Sequence, residues 1–131
     1  MEAVAACLDS WAVMAWLLGE EPAAERVNEA IHARPVMSWV NAGQVYSTMH
    51  RRHGPEHAER VLEHLRLSVH LDEATPARIV EAASIEAVHP MSYADAFACA
   101  TATAYGAPLL TGDDEILKVT GPWTARDLRI G

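Results

Sequence analysis

The chain has 131 residues, of which half are apolar and 21% are charged, and this ordinary globular composition argues against a disordered or fibrous protein. Its length fits a single domain, residues 1–131, whose core is large enough to fold without a metal or a disulfide. Eighteen acidic and ten basic residues give a formal net charge of −8, which argues against a protein that coats nucleic acid by neutralising phosphates. An acidic chain can still act on a polyanion if divalent cations, a local basic patch or a basic partner supplies positive charge.

Several features of the sequence bear on its cellular location. No apolar run approaches the length of about 20 residues that a membrane-spanning helix needs. The first residues, 1–4, contain no basic side chain, so no cleaved signal peptide is expected. Cys7 and Cys99 lie in apolar runs, which is typical of buried thiols in a reducing compartment. We therefore expect a cytoplasmic protein without a membrane segment.

Turn signals divide the chain into strands that alternate with helices. The predicted strands are short apolar runs at residues 3–8, 36–38, 69–71, 107–111 and 127–130. The predicted helices are bounded by capping residues, Gly or Pro, and cover residues 11–18, 22–32, 41–53, 55–67, 76–88 and 93–105, followed by a short helix that ends near residue 119. This alternation predicts parallel strands joined by right-handed crossovers, and hence an α/β layered domain.

Acidic residues follow two of the predicted strands. Asp9 comes directly after the first strand and Asp113 directly after the fourth. In parallel α/β sheets, ligands bind beyond the carboxyl ends of the strands, so the two positions indicate a functional site. The run Asp113–Glu115 also fits a simple cluster of acids at a helix N-terminus, where the helix dipole favours negative charge.

A third acid, Asp95, lies in the first turn of the helix predicted at 93–105. It is a lone carboxylate among small and apolar residues, where an unpaired charge is costly, so it acts either as a metal ligand or as a cap or salt-bridge residue. Carboxylates that lie close together repel unless a cation is present, and hard oxygen ligands select Mg²⁺ or Mn²⁺. Three acids around such an ion suit phosphodiester hydrolysis.

Four stretches of the chain resemble, in order, the signature stretches of PIN-domain ribonucleases, in particular the VapC toxins of bacterial toxin–antitoxin modules. They are Leu8–Ser10, Trp39–Tyr46, Ser92–Ala98 and Leu110–Asp113. The resemblance implies a three-layer α/β/α domain with a central, mainly parallel sheet of four to five strands. It also implies Mg²⁺- or Mn²⁺-dependent endonucleolytic cleavage of RNA, such as tRNA or rRNA, which inhibits translation and growth.

The resemblance also assigns roles to individual residues. Asp9, Asp95 and Asp113 match the acids of the family and are the expected metal ligands and catalytic residues. Asp114 and Glu115 are weaker candidates for a further ligand. Supporting polar residues, which flank the acids, are expected at Ser10, Asn41 and Thr111.

One residue departs from the family pattern. Gln44 occupies the position of a catalytic glutamate, and a neutral amide attracts Mg²⁺ less strongly than a carboxylate. Two interpretations stay open: a natural site of reduced metal affinity, or a glutamate that was replaced in order to produce a growth-inhibiting nuclease. Gln44 also supports an alternative function, a non-catalytic PIN scaffold that acts only by binding a partner protein.

The implied partners are a cognate VapB-type antitoxin, an RNA substrate and a second copy of the chain in a homodimer, with promoter DNA bound only through the antitoxin. Arg51 and Arg52 form the densest basic region, which is either a solvated helix face or a contact for RNA phosphates or an acidic partner. Core packing explains most of the apolar residues near Trp11 and Trp16, and a groove for an antitoxin helix or a dimer face is the second interpretation.

Overall fold

The computed structural model describes residues 3–130. Met1, Glu2 and Gly131, at the two ends of the predicted domain, lie outside the described residues, as does part of the N-terminal segment on which the signal-peptide prediction rests. Strands and helices alternate as follows: β1 (Cys7–Leu8), α1 (Ser10–Leu18), α2 (Ala23–Ile31), β2 (Val36–Ser38), α3 (Trp39–His53), α4 (Pro55–Ser68), β3 (His70–Asp72), α5 (Pro76–Val88), α6 (Tyr93–Tyr105), β4 (Leu109–Thr111), α7 (Asp114–Leu117) and β5 (Ala125–Asp127).

The five strands form one sheet in the order β3-β2-β1-β4-β5, and every neighbouring pair is parallel. In the register of the sheet, Cys7 lies between Val36 and Leu109. The last residues of β2 and β3, Ser38 and Asp72, are directly paired. All five carboxyl ends therefore lie along a single edge of the sheet, which we call the carboxyl edge. The predicted mainly parallel sheet of four to five strands is confirmed.

Helices cover both faces of the sheet because side chains along a strand alternate between the faces. Leu8, Met37 and Leu110 lie in one apolar cluster, together with buried residues of helices α1 to α4. Their neighbours along the strands lie in a second cluster, with buried residues of α5, α6 and α7; these neighbours are Cys7, Val36 and Leu109. This arrangement confirms the three-layer α/β/α fold.

The sequence predicts helix α1 over residues 11–18 with Ser10 or Asp9 as its cap and Gly19 as its end, and the structure begins the helix one residue earlier, at Ser10. The Asp9 side chain accepts a hydrogen bond from the Ala12 N–H at 2.8 Å, which makes Asp9 the N-cap. Gly19 ends the helix in the left-handed region, with φ of 68°. The first acid after β1 therefore also fixes the start of the helix that follows.

Several predicted boundaries are wrong by a few residues. The first strand covers only Cys7–Leu8, and the third ends on Asp72 instead of Leu71. The last strand is Ala125–Asp127, since Thr111 pairs with Asp127 and the chain turns directly afterwards. Helix α3 begins at Trp39, because the Ser38 hydroxyl accepts a hydrogen bond from the Val40 N–H at 3.1 Å.

Within residues 3–130, none of the helices combines the length and the apolar character that crossing a membrane requires.

Candidate active site

The acids predicted after β1 and β4 are connected through one hydroxyl group at the carboxyl edge. Asp9 is buried, with 2% of its surface exposed, and its second carboxylate oxygen accepts a short hydrogen bond from the Thr111 hydroxyl. The same Thr111 oxygen accepts a hydrogen bond from the Asp113 N–H at 3.0 Å. Thr111 therefore connects Asp9 and Asp113 through its hydroxyl group.

The N-termini of helices α6 and α7 position the other two acids of the site, Asp95 and Glu115. Ser92 caps α6 by accepting a hydrogen bond from the Asp95 N–H at 3.1 Å, which places Asp95 in the first turn. Asp113 caps α7 and accepts a hydrogen bond from the Glu115 N–H at 2.8 Å. Each of Asp95, Asp113 and Glu115 offers a carboxylate oxygen, and these oxygens lie within 4.8 Å of one another. With Asp9, these three residues form what we call the acidic cluster.

The pKa values of the two most buried acids reflect this crowding. The pKa of Asp9 is raised to about 7, chiefly by burial and also by the charges of Asp113 and Asp95, against the lowering effect of its two hydrogen bonds. Burial followed by the charge of Asp113 also raises the pKa of Asp95 to about 7. The acidic cluster therefore holds protons near neutral pH when no cation balances its charge.

Two oxygen atoms, one in the acidic cluster and one on the neighbouring helix α3, lack a hydrogen-bond partner among the residues that the structure describes. They are Asp95 Oδ2 and Asn41 Oδ1, and both atoms are buried. Asn41 itself is held in place, because its amide nitrogen donates to Gln44 Oε1 at 3.0 Å and to the Ala94 carbonyl at 3.1 Å. Buried polar atoms are almost always paired, so unpaired oxygens next to crowded carboxylates fit a bound cation. The donor set, which consists only of oxygen, matches Mg²⁺ or Mn²⁺.

A cleft of about 350 Å³ opens beside the acidic cluster, between α1 and α3. Ser10, Gln44, Arg52 and Asp113 all line it, so the structure brings these four predicted residues together. The remaining lining residues are Trp11, Met14, Ala15, Leu18, Glu20 and Thr48.

The two arginines of the predicted basic pair differ in their placement. Arg52 lines the cleft, whereas the exposed Arg51 donates a hydrogen bond to the Ser47 hydroxyl at 2.6 Å and does not line it. Only Arg52 is therefore placed to contact a molecule in the cleft. The spacing Gln44, Thr48, Arg52 was readable from the sequence, because residues four apart share a helix face.

The two weaker candidate acids, Asp114 and Glu115, also differ in their placement. Asp114 is exposed and pairs with Arg129 at 2.9 Å, and it is outside the group of close carboxylates. Glu115 belongs to that group. The N-terminal turn of α7 explains the difference, because residues one apart on a helix point in different directions.

Trp11 reaches the chain beside Asp113 and was not predicted as part of the site. A Cβ atom placed on Gly112 would lie 2.3 Å from the Trp11 ring, so the indole rests directly against the glycine backbone. Only glycine leaves room for this contact. The requirement for a small residue could have suggested a close approach at position 112, although not the identity of the partner.

The sequence matches the family model of the PIN domain over residues 6–122. The chain belongs to the PIN domain family. Comparison with curated proteins finds no match.

Solved structures with this PIN domain fold include toxin–antitoxin proteins. The DNA-bound VapBC complex of Salmonella typhimurium contains a chain that is 15% identical, with a TM-score of 0.77 and coverage of 95% of this chain and 98% of that one. A chain of VapBC-1 from nontypeable Haemophilus influenzae is 18% identical, with a TM-score of 0.71 and the same two coverages. VapC20 of Mycobacterium tuberculosis, a sarcin-ricin loop cleaving toxin, is 16% identical, with a TM-score of 0.70 and coverages of 90% and 98%. These likenesses establish the fold.

Proposed function

We propose that this PIN domain is a divalent-metal-dependent endoribonuclease and the toxin of a VapBC-type toxin–antitoxin pair. The observation that carries the proposal is the acidic cluster: among residues 3–130, none of its carboxylates has a Lys, Arg or His nitrogen within 4.0 Å, and Asp95 Oδ2 has no hydrogen-bond partner. Such a cluster is costly in a structural role and useful in a metal site.

The residues of the site have different proposed roles in hydrolysis. Asp95, Asp113 and Glu115 are the ligands that would hold Mg²⁺ or Mn²⁺, and Asp9 would hold it or orient Asp113 through Thr111. Such an ion, when bound, supplies the positive charge that polarises a phosphoryl oxygen and favours deprotonation of a water. The cleft beside Asp113 receives the RNA strand, with Ser10 and Gln44 next to the scissile phosphate.

Proton binding sets the pH range of this site. Metal ligands must be deprotonated, and the pKa values of Asp9 and Asp95 are raised to about 7. The affinity for Mg²⁺ or Mn²⁺ therefore rises with pH through neutrality, and cleavage rises with it.

The same comparison supports a proposal about partners and substrates. Solved structures with this fold include VapBC complexes, some of them bound to DNA, and a toxin that cleaves the sarcin-ricin loop. We propose that this chain likewise cleaves rRNA or tRNA and is neutralised by a VapB-type antitoxin. In this proposal the chain is a homodimer and contacts promoter DNA only through the antitoxin.

A second candidate function is a non-catalytic PIN scaffold, and the observation that favours it is Gln44. The side chain lines the cleft, yet it offers a neutral oxygen that already accepts a hydrogen bond from Asn41. Glu115 weakens this argument, because it supplies a fourth carboxylate to the acidic cluster without Gln44.

One set of variants separates the two functions. Calorimetric titration of Mn²⁺ and an assay on total RNA would be run on the chain with Gln44 and on its Gln44→Glu variant. We expect Gln44→Glu to raise both the affinity for Mn²⁺ and the rate of RNA cleavage by about tenfold or more, the effect of about 1.4 kcal/mol. Asp113→Asn in the same background should lose both, whereas Asp114→Asn, the matched acid outside the cluster, should change neither.

Equal affinity and equal activity of the unsubstituted chain and its Gln44→Glu variant would contradict the assigned role of position 44. Tight Mn²⁺ binding without any RNA cleavage by Gln44→Glu would instead favour the scaffold.

A further inference from the structure

The cleft beside the acidic cluster has two chemically different walls. Helix α1 contributes Trp11, Met14 and Leu18, which are apolar. Helix α3 contributes Gln44, Thr48 and Arg52, which are polar and are spaced by four residues along one helix face. Arg52 follows Gln44 by eight positions of helix, so the polar wall is about 12 Å long.

Arg52 is an uncompensated positive charge in this cleft. Its side chain is exposed, and among residues 3–130 it has no carboxylate oxygen within 4.0 Å and makes no hydrogen bond. Glu20 also lines the cleft, but it does not pair with Arg52. In a chain of net charge −8, an unpaired guanidinium that faces a cleft fits an anionic ligand, and guanidinium groups match phosphate geometry.

The size of the cleft indicates how much of an anionic ligand it can hold. About 350 Å³ is near the lower limit of small-molecule pockets, which is the size that a nucleotide or two of a single strand would occupy. Apolar and aromatic surface opposite a cation is the arrangement that holds single-stranded nucleic acid, because bases contact the apolar wall and phosphates the charge.

We propose that Arg52 binds a backbone phosphate of single-stranded RNA next to the nucleotide that is cleaved, while the Trp11–Met14–Leu18 wall contacts its base. This inference rests on the proposed function and adds a substrate-positioning residue to it. Arg51, one residue away and turned to Ser47, has no part in it and serves as the matched control.

The test measures RNA binding directly. Fluorescence anisotropy of a labelled single-stranded oligoribonucleotide would be followed with the chain as it is, with Arg52→Ala, with Arg52→Lys and with Arg51→Ala, in Mg²⁺ and between about 50 and 200 mM salt. Gel analysis of the same samples shows whether the RNA is intact.

We expect Arg52→Ala to weaken binding about tenfold, the loss of one hydrogen-bonded charge contact. It should also lower the slope of log affinity against log salt by about 0.7, which corresponds to one phosphate of a single strand. Arg52→Lys should keep the slope, and Arg51→Ala should resemble the unsubstituted chain. In the Gln44→Glu background, Arg52→Ala should raise KM and leave kcat nearly unchanged.

Equal losses in Arg51→Ala and Arg52→Ala would overturn the inference, because they would show a diffuse charge effect. Unchanged RNA binding by Arg52→Ala, with weakened binding of an amphipathic peptide that carries acidic residues, would assign the cleft to a protein partner and overturn it as well. RNA binding that depends on Arg52, without cleavage by Gln44→Glu, would support the inference while contradicting the proposed nuclease function.

Discussion

Buried acids lie at two places along the carboxyl edge of the sheet, and within residues 3–130 those at only one place have a basic partner. At the end of β3, Asp72 accepts hydrogen bonds from Arg78 Nε at 2.8 Å and from the Tyr105 hydroxyl at 2.8 Å. At the ends of β1 and β4, the acidic cluster has no such basic partner among residues 3–130. The fold provides the same edge in both places, so the difference is in what surrounds the acids.

This difference determines how the charge of each acid is balanced. The charge of Asp72 is balanced inside the protein, and breaking the pair would leave an isolated buried charge. The charges of Asp9 and Asp95 are balanced by protons, since their pKa values are raised to about 7. A divalent ion would displace these protons when it binds, and this is why we propose the acidic cluster as the metal site.

The largest expected effect is on the pH dependence of stability. Asp9 and Asp95 bind protons more tightly in the folded chain than in the unfolded chain, so in EDTA their contribution to stability is fully present below about pH 4 and is lost as pH rises through about 7. Thermal unfolding between pH 5 and pH 8 measures the slope. Added Mg²⁺ should restore stability at pH 8 and have little effect at pH 5.

Asp95→Asn is the control for this slope, because it removes one of the two titrating groups. The variant should flatten the pH profile and reduce stabilisation by Mg²⁺. A profile unchanged by Asp95→Asn would contradict the assignment of the slope to the acidic cluster.

A smaller effect on stability is expected from removing the guanidinium group that pairs with Asp72. Arg78→Met leaves Asp72 without its cation and should lower the free energy of unfolding by about 3 kcal/mol, with no change in Mn²⁺ affinity. Urea unfolding and calorimetric titration measure the two quantities. The control is Glu81→Gln, which removes the exposed partner of Arg78 and should cost less than about 1 kcal/mol. If Arg78→Met altered metal affinity, Asp72 and the acidic cluster would not be independent.

The smallest effect is expected at the hydroxyl that connects Asp9 with Asp113. Thr111→Val leaves an oxygen of Asp9 unpaired and should cost about 2 kcal/mol of unfolding free energy, while it also weakens Mn²⁺ binding. Thr101→Val is the matched control, because that buried hydroxyl only donates to the Phe97 carbonyl within its own helix. Equal effects of the two variants on metal affinity would contradict the proposed role of Thr111 in positioning Asp9 and Asp113.

Local signals in the sequence predicted most of the fold. Asp9, Gly19, Ser92 and Gly106 bound α1 and α6 as expected, since caps act on adjacent residues. The errors arise where pairing with distant residues decides the end of an element. Asp127 ends β5 because it pairs with Thr111, a partner sixteen positions earlier along the chain.

The site was predicted less completely than the fold. Asp9, Asp95 and Asp113 were chosen from strand ends and motifs, and the structure brings them together. The preference for Glu115 over Asp114 depends on how the first turn of α7 is oriented. That orientation is not contained in local sequence, so only the three-dimensional arrangement could reveal it.

The contact between Trp11 and Gly112 joins the first helix to the segment that carries Asp113, and it leaves no spare volume. A methyl group at position 112 would have to displace the indole, and the displaced indole would alter the mouth of the cleft. The two positions are therefore expected to covary: a relative with a larger residue in place of Gly112 needs a smaller one in place of Trp11. Swapping sizes at both positions together would reshape the entrance for the substrate while the carboxylates stay where they are.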